Sequence, residues 1–183
     1  MSAKKMMLLM AILALWACSP TQKSIKKPPM DVFPTDWAGI WKGDLDIYKN
    51  GQLSQSLPMT LTILPQGDSI QWTIQYDTLS TRPYTLKSVD KKKGIYLVDE
   101  HNSIQLESYL FGQKLLSQYT VMGNQITIME EKKDNTILFE VIMSKNEPVS
   151  ITGGQKIGEE DIPEVKTYPV KIYQRAILHT LAP

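Results

Sequence analysis

From residue 36 onward, hydrophobic and polar side chains alternate with period two. Ile70, Trp72, Ile74 and Tyr76 are interleaved with Ser69, Gln71, Thr73 and Gln75. That spacing puts one set on each face of an extended chain and predicts a half-buried β-strand. Strands of this kind are predicted over 38–48, 57–64, 69–77, 83–89, 94–99, 103–110, 114–121, 124–130, 136–144 and 168–179. The breaks between them carry turn chemistry. Asn50-Gly51, Gln66-Gly67-Asp68, Gly112, Gly123-Asn124 and Asp134-Asn135 supply residues that tolerate positive φ. No stretch here has the period of an amphipathic helix. Short strands on tight turns predict an all-β antiparallel meander. Closure into an up-and-down β-barrel of about 8–10 strands removes the open edges a meander would expose.

Residues 145–167 break the alternation. Loops above roughly 12–15 residues are uncommon in compact domains and often carry function. This one is expected to be either a solvated covering over one barrel mouth or a lid that gates it.

The N-terminal pattern is different again. Lys4 and Lys5 precede an apolar run from Met6 to Ala17, too short for the ~20 residues that span a bilayer and suited to a signal peptide over 1–17. The run ends in Leu15-Trp16-Ala17-Cys18, which resembles the bacterial lipobox. That resemblance implies cleavage before Cys18 and a diacylglyceryl group, with palmitate-type chains, on its sulfur. The lipid bilayer is then a partner through acylated Cys18. Residues 18–35 read as a lipidated tether, with Pro20, Pro28, Pro29 and Pro34 disfavouring helix. Ser19 lacks the acid that retains lipoproteins in the inner membrane, and Lys23, Lys26 and Lys27 contrast with acid-rich surface-export tags. The expected address is the outer membrane, facing the periplasm, with the domain at 36–183.

The first strand reads Asp36-Trp37-Ala38-Gly39-Ile40-Trp41-Lys42-Gly43. Gly39-x-Trp41 at that place resembles the opening motif of lipocalins and related calycin barrels. The resemblance implies an Arg on the last strand packed over the Trp as a barrel-closing latch, and Arg175 occupies the corresponding position beside Trp41. A guanidinium over an indole is worth ~0.5–2 kcal/mol. Together with Tyr96-Leu97-Val98-Asp99-Glu100 and Tyr173-Gln174-Arg175-Ala176, the motif is also similar to lipocalin-like lipoproteins of the Bacteroidetes type. No lipocalin-type Thr-Asp-Tyr motif and no C-terminal helical pattern accompany it. Period two turns Gly39, Trp41, Gly43, Leu45 and Ile47 to one face and Lys42, Asp44 and Asp46 to the other, so Trp41 points inward.

Composition narrows the function classes. With 20 Lys+Arg against 19 Asp+Glu, the chain has no basic excess for nucleic acid. A single Cys excludes an intramolecular disulfide framework, and two His leave little for a zinc cage. There is no nucleophile elbow, Walker loop or dinucleotide fingerprint, and Gly153-Gly154 alone is no phosphate cradle. Asp99-Glu100-His101 gathers two acids and an imidazole, but Asn102 follows and the segment reads as a hairpin turn. Lys91-Lys92-Lys93 reads as a solvated turn with a weaker option of touching anionic headgroups. His179 shares a face with Tyr173, Arg175 and Ile177. A His in a last strand, with Gly39-Ile40-Trp41-Lys42-Gly43, is similar to nitrobindin-type barrels, where the His ligates haem iron; that is a minor reading.

The expectation is therefore a non-enzymatic barrel, with no resident cofactor or metal, that buries a small apolar or amphipathic ligand. Trp41, Trp72, Tyr76, Tyr96, Tyr119 and Phe139 are the candidate cavity-lining residues. The alternative is a filled barrel that docks an envelope protein partner. A cavity below ~100 Å³ would favour the alternative, since ligand pockets run ~300–1,000 Å³.

Overall fold

A computed structural model describes residues 33–78 and 80–180. The signal peptide over 1–17, Cys18 and the tether as far as residue 32 lie outside the described residues.

Ten antiparallel strands form one closed barrel. They are β1 (Gly39–Lys49), β2 (Gln52–Gln66), β3 (Ser69–Tyr76), β4 (Ser80–Asp90), β5 (Ile95–Asp99), β6 (Gln105–Phe111), β7 (Lys114–Val121), β8 (Asn124–Lys133), β9 (Thr136–Lys145) and, after an excursion, β14 (Val170–Thr180). Each pairs with its sequence neighbour, and β14 pairs with both β9 and β1 to close the ring. This is the up-and-down topology that the alternation predicts. The main boundary difference is at β2, which starts at Gln52 rather than 57. Residues 52–56 are largely polar and exposed, so they carry no inward signal, yet the ladder pairs Lys49 with Gln52 and Tyr48 with Leu53 across the Asn50-Gly51 turn.

The predicted 145–167 loop is a β-arm. β10 (Ser150–Thr152) pairs with β13 (Val165–Thr167), and β11 (Lys156–Ile157) pairs with β12 (Glu160–Asp161). The hydrogen bonds Lys145 N to Pro169 O (3.1 Å) and Val149 N to Thr167 O (2.8 Å) carry the β9–β14 hairpin straight into it. Short strands broken by Gly153, Gly154 and Gly158, all at positive φ, hide this ladder from a period-two reading.

Side chains alternate apolar inward and polar outward. Leu45, Leu61, Ile63, Leu86, Ile137 and Leu178 are fully buried, while Lys42 and Asp44 face outward from β1. Each fully buried aliphatic of this kind contributes ~1.5–3 kcal/mol. A membrane-spanning barrel has the reverse pattern, an apolar belt outside and polar groups within. No helix among the described residues is long and apolar enough to cross a membrane.

One end of the barrel is plugged from below. The 3-10 helix Thr35–Trp37 lies just before β1, and it drives Phe33 and Trp37 into the core. The Phe33 and Trp37 rings meet edge to face at 4.9 Å, as do Phe33 and Tyr96. Trp37 Nε1 donates to Gln113 Oε1 (3.1 Å) in the β6–β7 turn, and Trp41 Nε1 donates to Trp37 O (2.9 Å). Both indole N–H groups are thus satisfied in a dry site. Gly43 has a separate necessity: a Cβ there would sit 2.3 Å from the carbonyl oxygen of Ile177 on β14. The second glycine of the Gly39-Ile40-Trp41-Lys42-Gly43 motif is a seam between the first and last strands.

The Trp41–Arg175 latch does not form. Arg175 is exposed, pairs in register with Asp46 and Glu140, and projects from the outer wall, whereas Trp41 is buried inside. Strand parity separates them, and the Trp41 indole is held instead by its N–H bond to the backbone carbonyl of Trp37.

Candidate functional site

A cavity in the open half

Away from the plug, the inward positions of β3 to β9 and β14 leave a cavity of about 290 Å³. Its wall comprises Trp72, Ile74 and Tyr76 on β3, Arg82 and Tyr84 on β4, and Val98 on β5, with Glu100 just beyond. Leu106 on β6, Leu115, Ser117 and Tyr119 on β7, Ile126, Ile128 and Glu130 on β8, Phe139 and Val141 on β9, and Gln174 on β14 complete it. Tyr76, Tyr119 and Ile126 lie at the strand ends next to the 76–80 and 121–124 turns and form the mouth. Leu115, Glu130 and Phe139 pair in register at the floor, and Leu115 and Phe139 are fully buried. The plug and the arm are therefore at opposite ends of the barrel, with the mouth at the arm end.

Two polar features stand in this mostly apolar wall. Ser108 and Ser117 are buried and share a hydrogen bond (2.6 Å) across β6 and β7. Glu130 is 4% exposed, and its Oε2 has no hydrogen-bond partner. Burial pushes its carboxyl up to about 8. Removing a carboxylate from water disfavours the charged form, and no cation lies close enough to offset it. In the empty barrel at neutral pH, Glu130 is accordingly a neutral acid.

The rim is more polar. The Arg82 guanidinium carbon lies 5.9 Å from the centre of the Tyr76 ring, and Nη1 donates to Tyr84 Oη at 3.4 Å. Burial pushes the Tyr76 phenol up to about 12 against the opposing pull of Arg82, and burial also raises Tyr119.

Four of the six aromatic candidates, Trp72, Tyr76, Tyr119 and Phe139, line the cavity. Trp41 and Tyr96 do not. Both point inward, but at the plug level, where Phe33 and Trp37 fill the space around them. The Asp99-Glu100-His101 segment is a turn: Asp99 Oδ1 accepts from His101 N (3.0 Å), and Glu100 N donates to Ile104 O (3.0 Å). Asp99 Oδ2 meets Lys87 Nζ at 2.7 Å, and that hydrogen bond holds its carboxyl down at about 2. Glu100 alone of the three reaches the cavity. His101 Nε2 lies 2.9 Å from Thr85 Oγ1 in an exposed pair, and His179 sits exposed on the outer wall opposite Lys42 and Thr136. Parity therefore removes His179 from the interior, which overturns the haem reading. Lys91, Lys92 and Lys93 are exposed, and the Asp90 carboxylate caps the Lys92 and Lys93 amides.

Glu130, Arg82, Tyr84 and Gln174 escape the sequence reading. The signal for Glu130 is parity, since Ile126, Ile128 and Glu130 share one face. The flanking Glu131-Lys132-Lys133 disguises it as a charged strand end. Among the described residues no group of three or more His, Cys, Asp or Glu side chains is placed to hold a metal ion. The chain matches no protein-family model, and no curated protein matches its sequence.

Proposed function

We propose that this chain is a lipid-anchored envelope protein that carries a small amphipathic ligand in its barrel, without catalysis. The carrying observation is the cavity of about 290 Å³ above a fully packed floor, walled by Trp72, Tyr76, Tyr119 and Phe139. That volume is just under the ~300 Å³ at which the usual range of small-molecule sites begins. Burial of a few hundred Å² of apolar ligand surface at ~25 cal/mol per Å² supplies several kcal/mol before the costs of association. The arm contributes no residue to the cavity wall, so access runs through the mouth itself.

The anchored location rests on the lipobox at Cys18, and the outer-membrane, periplasm-facing address on Ser19 and the basic tether. Growth on labelled palmitate is expected to label the protein, and Cys18→Ser to abolish the label and release the protein from membranes. Native mass spectrometry of the released form, purified from its own host, is expected to show a reproducible bound mass below ~500 Da, the range such a cavity admits. A clean apo mass, with no uptake of a neutral apolar fluorophore such as N-phenyl-1-naphthylamine, would defeat the carrier reading.

A second reading, a module that docks an envelope protein partner, is favoured by the arm. Val149, Ile151, Ile157 and Val165 are all more than half exposed there. Exposed apolar side chains on a projecting ladder suit a protein surface better than water.

A further inference from the structure

We propose that Glu130 is the polar anchor of the cavity and that it selects ligands bearing a protonated amine on an apolar, aromatic-sized body. The inference rests on the carrier reading and adds the chemical class. A buried carboxyl whose Oε2 has no partner costs free energy for as long as the cavity is empty. Glu130 lines the cavity although Oε2 itself is closed off from it, so an N–H donor brought down the barrel meets the carboxyl with a turn of the side chain, and a cationic donor supplies charge as well.

The surroundings favour a cation over an anion at this depth. β7 and β9 flank Glu130 and present only Leu115, Ser117 and Phe139 beside it, none of them charged. The charged and titratable groups facing it across the cavity are Tyr76, Arg82, Tyr84, Glu100 and Tyr119. Arg82 is the one cation among them. It is exposed at the rim, already engaged by Tyr84 and the Tyr76 ring, and Glu100 offsets it. An anionic head would stop at Arg82 and leave the floor unmet. An ammonium passes the aromatic side chains Trp72 and Phe139, which line the way down, and ends on the carboxylate.

Proton linkage gives the signature. Glu130 is neutral in the empty cavity below about pH 8 and ionised in the amine complex, so binding expels a proton. Affinity then rises roughly tenfold per pH unit from pH 6 toward 8 and levels off above it, until the amine itself deprotonates near pH ~10.

The test uses three matched probes, 2-phenylethylamine, 2-phenylethanol and 3-phenylpropanoate, titrated calorimetrically into the soluble Cys18→Ser chain from pH 6 to 9. Two buffers of different ionisation enthalpy read the released proton. The expected result is that the amine binds tightest, with that pH slope and with about one proton expelled at pH 6, falling toward none at pH 9. Glu130→Gln is expected to cut amine affinity at least roughly tenfold and abolish the slope, while Glu100→Gln keeps it. Near-ultraviolet circular dichroism of Glu130→Gln verifies folding. If Glu130→Gln does not fold, the proton count and slope in the parent decide alone. Tighter binding of the alcohol or the acid, or a slope that survives Glu130→Gln, would overturn the amine assignment and leave the carrier reading standing. No binding of any probe, beside a bound mass from the native host, would also overturn the assignment alone. No binding and no native mass would overturn both.

Discussion

At one end of the barrel Trp41, Trp72 and Tyr96 turn inward, and Phe33 and Trp37 are driven up between them from below. At the other end β7, β8, β9 and β14 turn in Ser117, Ile128, Val141 and Gln174, and a cavity of about 290 Å³ stays open. Strand number, tilt and alternation are shared, so they do not decide which half holds a cavity. The volume of inward side chains at each level decides, together with one short segment before the first strand. The indole N–H groups of Trp37 and Trp41 are satisfied at the plug, where Tyr96 Oη and Asp36 Oδ1 are buried without a partner, and in the open half the Glu130 carboxyl is the buried group with an unpartnered oxygen.

The plug breaks most easily. Trp37 is fully buried and touches Phe33 and Trp72. Trp37→Ala is expected to cost about 3–5 kcal/mol in urea unfolding, the usual range for removing a buried tryptophan. It should also let acrylamide quench Trp72 from beneath, making the closed end resemble the open one. A loss below ~1 kcal/mol would mean that the plug is dispensable and the asymmetry incidental.

Glu130 tests the other half with the opposite sign. Its folded-state carboxyl is at about 8, above its ordinary 4.5, so the native state holds the proton more tightly than the unfolded chain. The stability linked to that proton is fully present below about pH 4.5 and is lost progressively as pH rises to about 8. Glu130→Met, similar in volume and with nothing to ionise, is expected to stabilise the protein by about 2–4 kcal/mol at pH 8.5. The gain should shrink toward pH 5. Urea midpoints across that range measure it. A difference independent of pH would show that the carboxyl is solvated.

The wall was legible in the sequence and its filling was not. Period two identifies which residues of β3 face inward, and that was enough to put Trp72 and Tyr76 inside. It gives no depth, so it places Trp41 and Tyr96, equally inward, in a cavity they do not reach. Depth is set by register between strands, which turn geometry helps to fix and which a single strand's alternation does not reveal. Parity also contained the refutation of the Arg175 latch. Trp41 and Arg175 fall on opposite faces once Trp41 is paired with Thr180 and Arg175 with Asp46. Glu130 was hidden because an acid before Glu131-Lys132-Lys133 reads as surface. Its parity with Ile126 and Ile128 points inward, and its own burial beside Leu115 and Phe139 confirms it.

The arm offers the mildest perturbation. Residues 146–168 are exposed except Ile162, and none lines the cavity. Replacing them with an Asn-Gly turn between β9 and β14 removes little buried surface and shortens a loop whose closure entropy depends only weakly on length. Barrel stability is expected to change by less than about 1 kcal/mol, and 2-phenylethylamine affinity to stay within about threefold. If affinity instead falls steeply, the arm gates the mouth from a position that does not touch the cavity wall. If ligand binding is kept and a native protein partner is lost, the exposed Val149, Ile151, Ile157 and Val165 serve recognition. The barrel then separates two tasks along its axis, holding a small molecule in the wall and meeting a protein at the tip.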